Sequence, residues 1–236
     1  MADLRLVEHY VSTQGEGPRT GRTTQFVRFA GCNMTCAGWP CDTPFAVDVK
    51  IWGKEGGSYK RTPGELLEDC KSKREETGAN NICLTGGEPF LQPNDKMDDL
   101  IILLTQNGFE VEAFSNGSFL YSDIALEHVT FMMDWKLGGS GEAQTRRENR
   151  TMNAAKIRNG SGIKFVCKDG NDFNEALEVN DFLKGQVRSG VRFWAGSAWD
   201  VYPTKDLVAK MLEHQVPWSL NVQVHNYIWP ANERGR

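Results

Sequence analysis

The sequence predicts an α/β protein in which parallel strands alternate with helices. Short runs rich in β-branched and aromatic residues recur along the 236-residue chain, and helical stretches separate most of them. Repeated units of a strand followed by a helix are typical of a parallel sheet with right-handed crossovers, either open or closed into a full or partial barrel. The chain has no internal repeat and no long linker, so we expect residues 1–236 to form a single domain.

Seven runs are predicted as strands and four segments between them as helices. The strands are 25–30, 82–85, 111–115, 130–134, 162–167, 191–194 and 220–224, and the helices are 62–77, 94–107, 172–183 and 204–214. Thr62 and Glu65 have the spacing of a capping box, and Asp172 with Glu175 indicates a second helix start. In such a sheet the loops after the strands form the active face.

The composition is that of an ordinary globular protein. Hydrophobic residues make up 39% and charged residues 25%, which excludes collagen-like and disordered chains. The net charge of −4 provides no general attraction to nucleic acid or anionic lipid, so we expect neither as a partner. No apolar run approaches the roughly 20 residues of a membrane span, and the start lacks the apolar segment of a secretory signal, so we expect a cytoplasmic protein.

The six cysteines are unevenly spread. Cys32, Cys36 and Cys41 lie within ten residues, whereas Cys70, Cys83 and Cys167 stand alone and are expected to be buried packing residues. Three cysteines cannot pair with one another, and disulfides are disfavoured in a reducing cytosol, so ligation of a soft metal or cluster is the natural alternative. Three thiolates can hold three irons of a [4Fe–4S] cluster and leave the fourth iron open. A zinc site remains an alternative, although it would need a fourth ligand.

The cysteine loop resembles that of the radical S-adenosylmethionine (SAM) enzymes. Their hallmark is C-x3-C-x2-C after the first barrel strand, whereas the spacing here is C-x3-C-x4-C, so the loop must bulge around Gly38 to keep Cys41 on the cluster. Residues 85–89, Thr-Gly-Gly-Glu-Pro, resemble the GGEP motif that faces the methionyl group of SAM in that superfamily. Glycines there have a steric reason, since backbone without Cβ atoms can approach a ligand closely. The resemblance implies a partial (β/α) barrel with about six parallel strands, a cluster loop at 31–43 and an insertion at 45–61.

A narrower resemblance covers most of the chain. Six segments in the same order are similar to the 7-carboxy-7-deazaguanine synthase family, namely 13–18, 26–32, 41–44, 85–89, 114–118 and 222–225. Membership would imply conversion of 6-carboxy-5,6,7,8-tetrahydropterin to 7-carboxy-7-deazaguanine with loss of ammonia, in 7-deazapurine biosynthesis. It would also imply a [4Fe–4S] cluster, SAM and Mg2+ as cofactors, a homodimer, and an electron donor such as flavodoxin or ferredoxin.

The same resemblance implies roles for individual residues. Cys32, Cys36 and Cys41 would hold the cluster, and Thr43 would ligate Mg2+. Residues implied to contact the pterin are Gln14, Gly15, Glu16, Arg28, Thr85 and His225, with Arg28 pairing with a substrate carboxylate. Residues implied to contact SAM are Pro40, Asp42, Gly86, Gly87, Glu88, Ser115, Asp134, Trp135, Lys136, Ala195, Gly196, Ser197 and Ala198.

Some features depart from the family or fit a simpler interpretation. The family more often has Ser-Pro-Lys where this chain has Asp134-Trp135-Lys136, and a structural Asp–Lys pair is the alternative there. Arg146, Arg147 and Arg150 are expected to form a solvated helix face. No general acid or base can be assigned. Two other functions stay open, a different small radical SAM enzyme such as a glycyl-radical activase, and a non-enzymatic zinc-binding protein.

Overall fold

Nine strands form one mixed sheet in the computed structural model, which describes residues 3–39, 41–47, 58–230 and 235. The strands are β1 Leu4–Thr13, β2 Thr23–Phe29, β3 Tyr59–Arg61, β4 Asn81–Gly86, β5 Glu110–Ser115, β6 Thr130–Trp135, β7 Gly162–Cys167, β8 Arg192–Ser197 and β9 Ser219–Leu220. Their order is β3-β1-β2-β4-β5-β6-β7-β8-β9. All neighbours from β2 to β9 pair in parallel, whereas β3, β1 and β2 pair antiparallel.

Helices follow most of the parallel strands. The described helices are α1 Pro44–Val47, α2 Pro63–Thr77, α3 Asn94–Gln106, α4 Asp123–His128, α5 Arg147–Lys156, α6 Gly170–Leu183, α7 Thr204–Glu213 and α8 His225–Ile228. The predicted capping box at the start of α2 is confirmed: Glu65 N donates to the Thr62 hydroxyl, and the Glu65 carboxylate accepts from Thr62 N. No helix among the described residues is long and apolar enough to cross a membrane.

One face of the sheet packs on helices and forms the main core. Because side chains alternate along a strand, Val27, Phe29, Ile163 and Phe165 point into this core and are fully buried. The other face carries the polar and charged residues of the same strands. Arg28 lies beside Thr85 across β2 and β4, and Asp134 lies beside Lys164 across β6 and β7. This inner face therefore holds the charged groups of the predicted partial barrel.

The segment between β1 and β2 fills the inner face at the amino ends of the parallel strands. In this plug segment, residues 14–22, Gln14 donates to the Glu112 carboxylate, and Arg19 bonds to Asn81. Gly17 lies against Phe114 and Met132. Since the plug occupies the amino ends, the inner face is left open toward the carboxyl ends, where the loops after the strands lie.

The sequence prediction missed or misplaced several elements. Strands β1 and β3 and helix α4 were not predicted, and α5 was predicted only as a helix face carrying Arg146, Arg147 and Arg150. Strand β3 shows that residues 59–61 of the expected insertion belong to the sheet edge. Residues 48–57 of that insertion lie outside the described part of the chain. The strand predicted at 220–224 is wrong beyond Leu220, because the chain leaves the sheet there and Val224 N donates to Gly15 O at 3.0 Å.

Two predictions for polar residues were also wrong. Helix α6 begins at Gly170 and is capped by Asp169, whose carboxylate accepts from the backbone N–H groups of Asn171 and Asp172. Arg150 is not solvated, because it is completely buried on α5 beneath the Trp135 ring. Burial lowers the pKa of Arg150 to about 10. The arginine cluster is therefore not a uniform surface face.

Candidate active site

The cysteine loop follows β2 at the carboxyl edge of the sheet. Gly31 anchors its start through two backbone hydrogen bonds, donating to Ala46 O at 2.6 Å and accepting from Glu88 N at 2.8 Å. The loop thus bridges α1 and the turn after β4. Cys32 and Cys36 lie near Lys136, which directly follows β6, and Cys36 also lies near Asp134.

The three thiols of the loop are free and half-buried. Met34 N lies 3.4 Å from Cys32 Sγ, and Asn116 Nδ2 lies 3.9 Å from the same sulfur. Burial raises the pKa of Cys32 to about 11 and also raises that of Cys36. Within the described residues, no three His, Cys, Asp or Glu side chains group as a site for a single metal ion. Three soft thiolate donors with nearby N–H groups fit an iron–sulfur cluster.

The two glycines of the GGEP segment make room for the chain itself. A Cβ on Gly86 would overlap the backbone of Phe29, and a Cβ on Gly87 would overlap the carbonyl oxygen of Gly31. Gly87 N donates to Phe29 O at 3.1 Å. The structure adds a second steric reason for these glycines, namely close packing between the turn after β4 and the start of the cysteine loop.

Glu88 joins the ends of β4 and β5. It is completely buried, and its carboxylate accepts from Asn116 N at 2.7 Å, Ser115 Oγ at 2.8 Å and Phe90 N at 3.1 Å. Burial raises the pKa of Glu88 to about 7, against the opposing effect of these donors. The side chains of Glu88 and Ser115 are thus occupied within the protein, and neither presents a free surface to a ligand in this arrangement.

Strand β6 ends with Asp134 and Trp135, and Lys136 follows directly. The side chains of these three residues have different surroundings. Lys136 Nζ donates to Asp134 Oδ2 at 2.6 Å, while Asp134 Oδ1 is buried with no hydrogen-bond partner among the described residues. Burial alone would lower the pKa of Lys136, but the nearby Asp134 and Cys36 groups outweigh it and raise that pKa. Trp135 has no exposed surface and contacts Arg147 and Arg150 on the helical side, so the expected SAM contact is wrong for its side chain.

A charged recess lies beside the cysteine loop, formed by Glu16, Asp42, Lys164, Asn221 and Gln223. Glu16 Oε2 accepts from Lys164 Nζ at 2.9 Å and from Asn221 at 3.2 Å. Gln223 Nε2 donates to Glu16 Oε1 at 2.8 Å and to Asp42 Oδ2 at 3.0 Å. Burial alone would raise the pKa of Glu16, but the Lys164 ammonium and these hydrogen bonds lower it to about 2, so the carboxylate is ionised.

His225 and Gly15 close one side of this recess. The His225 ring packs directly on Gly15, at the position that a Cβ would occupy. His225 begins α8 and is half-buried. Of the predicted pterin contacts, the structure brings together Gly15, Glu16 and His225, and it adds Asp42 from the predicted SAM set.

Other predicted substrate residues have mixed positions. Gln14 is buried, and its amide donates to Glu112 and accepts from Glu16 N, so it supports the plug segment. Arg28 donates to Glu8 at 2.8 Å through Nε and to the Tyr10 hydroxyl at 3.0 Å through Nη2. Its Nη1 has no hydrogen bond with the described residues. Thr85 lies next to Arg28 in the sheet register.

The other predicted residues that the structure describes lie just before α1 and along the end of β8. Thr43 Oγ1 donates to Gly86 O at 3.2 Å. Ala195 is buried in the core, Ser197 bonds to Thr204 of α7, and Ala198 N donates to Cys167 O. Gly196 faces the recess, against the backbone of Asn221. Pro40 lies outside the described residues.

Sequence reasoning missed several polar residues of the site. Lys164 stands in the apolar run Gly-Ile-Lys-Phe-Val-Cys at an inward position, and this charge in a strand is the signal that could have identified it. Gln223 and Asn116 lie inside segments that carry the family resemblance. Asn221 had no such signal, since its role depends on the chain leaving the sheet after β9.

Comparison with known proteins places this arrangement in a family. The sequence profile of the Radical SAM superfamily matches residues 26–134, which span the cysteine loop and the ends of β4, β5 and β6. The 7-carboxy-7-deazaguanine synthase of Clostridium acetobutylicum is 31% identical over 99% of both chains. This chain belongs to the 7-carboxy-7-deazaguanine synthase family. The synthase of Leptospira interrogans is 29% identical over the full length of both chains.

Family membership accounts for both the fold and the cysteine loop. The crystal structure of QueE from Escherichia coli superposes with a TM-score of 0.68 over 94% of this chain and 95% of that one, at 21% identity, which supports the partial-barrel fold. As a radical SAM enzyme of the synthase family, the chain uses a [4Fe–4S] cluster and SAM. The full-length similarity to synthases favours this family over a glycyl-radical activase or a zinc-binding protein.

Proposed function

We propose that the protein is a radical SAM lyase that converts 6-carboxy-5,6,7,8-tetrahydropterin to 7-carboxy-7-deazaguanine with loss of ammonia, in queuosine-type 7-deazapurine biosynthesis. Full-length similarity to synthases of that name carries this proposal. The geometry supports it, because the cysteine loop and the charged recess open at the same edge of the sheet. A small, polar substrate would thus lie next to the cofactors.

Cys32, Cys36 and Cys41 are proposed as the three protein ligands of the cluster. When bound and reduced, the cluster supplies the electron that cleaves SAM and starts radical chemistry on the substrate. Asn116 and the backbone of Met34 donate toward Cys32, as second-sphere groups commonly do around cluster sulfurs. The protein's own part in this chemistry is to hold the reactants in position and to exclude water.

The end of β6 is proposed as part of the SAM site. The buried Oδ1 of Asp134 lacks a partner among the described residues, and an unpaired buried oxygen is costly unless a ligand donor reaches it. Lys136 holds the other oxygen and keeps the carboxylate oriented. The proposed SAM contacts at Gly86, Gly87 and Gly196 would be made by backbone, since these residues lie at strand ends facing the opening.

The charged recess is proposed to bind the pterin. A pterin presents a ring N–H and an exocyclic amino group side by side. The Glu16 carboxylate already accepts from Lys164, Asn221 and Gln223, so about one of its four acceptor positions is left for one of these donors. Lys164 keeps Glu16 ionised, and Gln223 fixes its second oxygen. The Nη1 of Arg28 is the proposed donor to the substrate carboxylate, because its Nε and Nη2 are already held by Glu8 and Tyr10.

Thr43 is proposed to help bind Mg2+. Its hydroxyl hydrogen is directed to Gly86 O, so the lone pairs of the oxygen remain for a cation. A single neutral oxygen makes a weak site, and Mg2+ retains water and binds anionic ligands well, so the substrate would supply most of the coordination. Metal and substrate should therefore bind together.

Partners and assembly are part of the same proposal. We propose a homodimer, in keeping with the family, and a flavodoxin or ferredoxin as electron donor. The half-exposed loop residues Asn33 and Cys36 give such a donor a short path to the cluster. A reducing cytoplasmic location would keep the three loop thiols free for iron.

The test is anaerobic reconstitution followed by turnover. Wild-type protein and the variants Cys41→Ala and Cys70→Ala are loaded with iron and sulfide, then supplied with dithionite, SAM, Mg2+ and 6-carboxytetrahydropterin. We expect about four irons per chain and 7-carboxy-7-deazaguanine from wild type and from Cys70→Ala, whose substituted thiol is a buried packing residue. Cys41→Ala should lose both iron and product. A wild-type cluster that cleaves SAM but leaves the pterin unchanged would refute the proposed substrate.

A further inference from the structure

The loop after β6, residues 136–146, contacts the cysteine loop next to Cys36 and in the gap between Cys36 and Cys41, which is two residues longer than in the superfamily motif. Thr35 donates to Glu142 Oε1 through its backbone N at 2.9 Å and through its hydroxyl at 3.3 Å. Gly38 N donates to Ser140 O at 3.3 Å. These contacts bracket Cys36 and enter the gap before Cys41.

The contact at Gly38 is backbone against backbone. A Cβ on Gly38 would overlap the carbonyl oxygen of Gly139, so a residue with a side chain could not pack here unless one loop moved. The lengthened gap between Cys36 and Cys41 therefore rests on the Gly138–Ser140 turn. Cys36 itself has a left-handed backbone with φ 47°, and a fixed set of hydrogen bonds on both sides holds that conformation.

The β6 loop is in turn fastened to two helices. Gly139 N donates to Asp172 Oδ1 at 2.7 Å, and Gly138 N donates to Glu175 Oε2 at 2.6 Å. The buried guanidinium of Arg150 donates to the carbonyl oxygen of Glu142. A buried arginine in α5 and two acids of α6 thus set the position of the loop that contacts the cysteines. This accounts for Asp172 and Glu175, which do not start their helix as the sequence indicated.

We infer that Gly139, Ser140 and Glu142 form a clamp that sets the geometry of the cysteine loop and accommodates its longer second gap. Glu142 is a positioning residue, because it accepts from the backbone N–H and the hydroxyl of Thr35, the residue next to Cys36, and has no hydrogen bond to a ligand sulfur. The inference rests on the proposed function only in taking Cys32, Cys36 and Cys41 as cluster ligands. The clamp would hold Cys36 in position relative to Cys41 although four residues, rather than two, separate them.

The first experiment compares Glu142→Ala, Glu142→Gln and the control Glu148→Gln, whose substituted side chain is exposed on α5. Each apo protein is checked by thermal unfolding, then reconstituted. The measurements are iron per chain, the EPR spectrum and midpoint potential of the reduced cluster, and the rate of cluster loss to a chelator. We expect Glu142→Ala to lose its cluster about 10-fold faster than wild type, with an altered EPR spectrum. Glu142→Gln should restore much of the wild-type behaviour, because its amide oxygen can still accept from Thr35 N.

A second pair of variants tests the other half of the clamp. Gly38→Ala should displace the loop and accelerate cluster loss, whereas Gly64→Ala is the matched control, since a Cβ there meets open space. Wild-type retention, EPR spectrum and potential in both Glu142→Ala and Gly38→Ala would refute the clamp while leaving the proposed function intact. A wild-type chain that takes up no iron would instead refute the cluster assignment on which both depend.

Discussion

Replacing Lys164 by methionine tests how strongly the charged recess depends on its one ammonium group. Glu16 and Lys164 are nearly buried, with 11% and 12% of their side chains exposed, and their charged atoms lie 2.9 Å apart. Methionine keeps most of the aliphatic stem and removes the charge. The Glu16 carboxylate would then be left with amide donors alone in a place that water reaches poorly.

The expected loss of stability follows from the pKa of Glu16. That pKa falls from 4.5 to about 2 on folding, a difference of about 2.5 that corresponds to roughly 3 kcal/mol at 1.36 kcal/mol per pKa unit. Removing one member of a buried ion pair costs about 3–5 kcal/mol, which is the same range. We therefore expect Lys164→Met to lower the free energy of unfolding by about 3 kcal/mol at pH 7.

The assay is urea unfolding of the apo protein at several pH values. Because the pKa of Glu16 is lower in the folded state, the ionised pair stabilises the fold above about pH 4.5, and this stabilisation is lost as the pH falls toward about 2. The difference between wild type and Lys164→Met should shrink over that window. The double variant Glu16→Gln/Lys164→Met should recover most of the loss, since no unpaired charge remains. A single variant within about 1 kcal/mol of wild type at pH 7 would refute the reasoning.

Three further changes probe separate parts of the fold. Burial lowers the pKa of His9 from 6.5 to about 4. The free energy of unfolding should therefore fall by up to roughly 3 kcal/mol as the pH decreases between these values. In His9→Leu, the free energy of unfolding measured with urea should depend less on pH over this range. Glu88→Gln should cost about 1–3 kcal/mol in urea unfolding at pH 8, because its amide NH2 must face a donor, most directly Asn116 N; an unchanged midpoint would contradict this. Gly87→Ala should lower the free energy of unfolding by about 1–3 kcal/mol, because the new Cβ would overlap Gly31 O. Equal melting temperatures for this variant and wild type would show that the cysteine loop moves aside at no cost.

Local sequence signals predicted the parallel part of the fold well. Strand β7 and the start of α2 carry strong patterns, and the structure confirms their positions. The bounds and the buried side of helix α5 were not predicted, because its sequence, Arg-Glu-Asn-Arg-Thr-Met-Asn-Ala-Ala-Lys, is too polar to show an apolar stripe. Strand β1 pairs antiparallel with β2 and β3, outside the alternation of strands and helices on which the prediction relied.

The site was predicted in its motifs but not in its contacts. Glu16, Asp42 and His225 were identified from segments of the family resemblance, and the structure brings them together in one recess. Lys164 and Gln223 were missed because their hydrogen bonds to Glu16 span 148 and 207 residues, which no local pattern encodes. The alternation of β6 turns the Trp135 side chain toward the helices while its neighbours face the opening, so a SAM contact at this residue would have to be made by its backbone.

The hydrogen bonds between the plug segment and the chain after β9 have a consequence for protein synthesis. Glu16 is synthesised early. Its carboxylate is held by Asn221 and Gln223, which are synthesised only after the described parallel strands. The recess is therefore completed late, after the sheet and helices have had time to form. A nascent chain arrested before Asn221 would lack both of the amide donors that hold the Glu16 carboxylate.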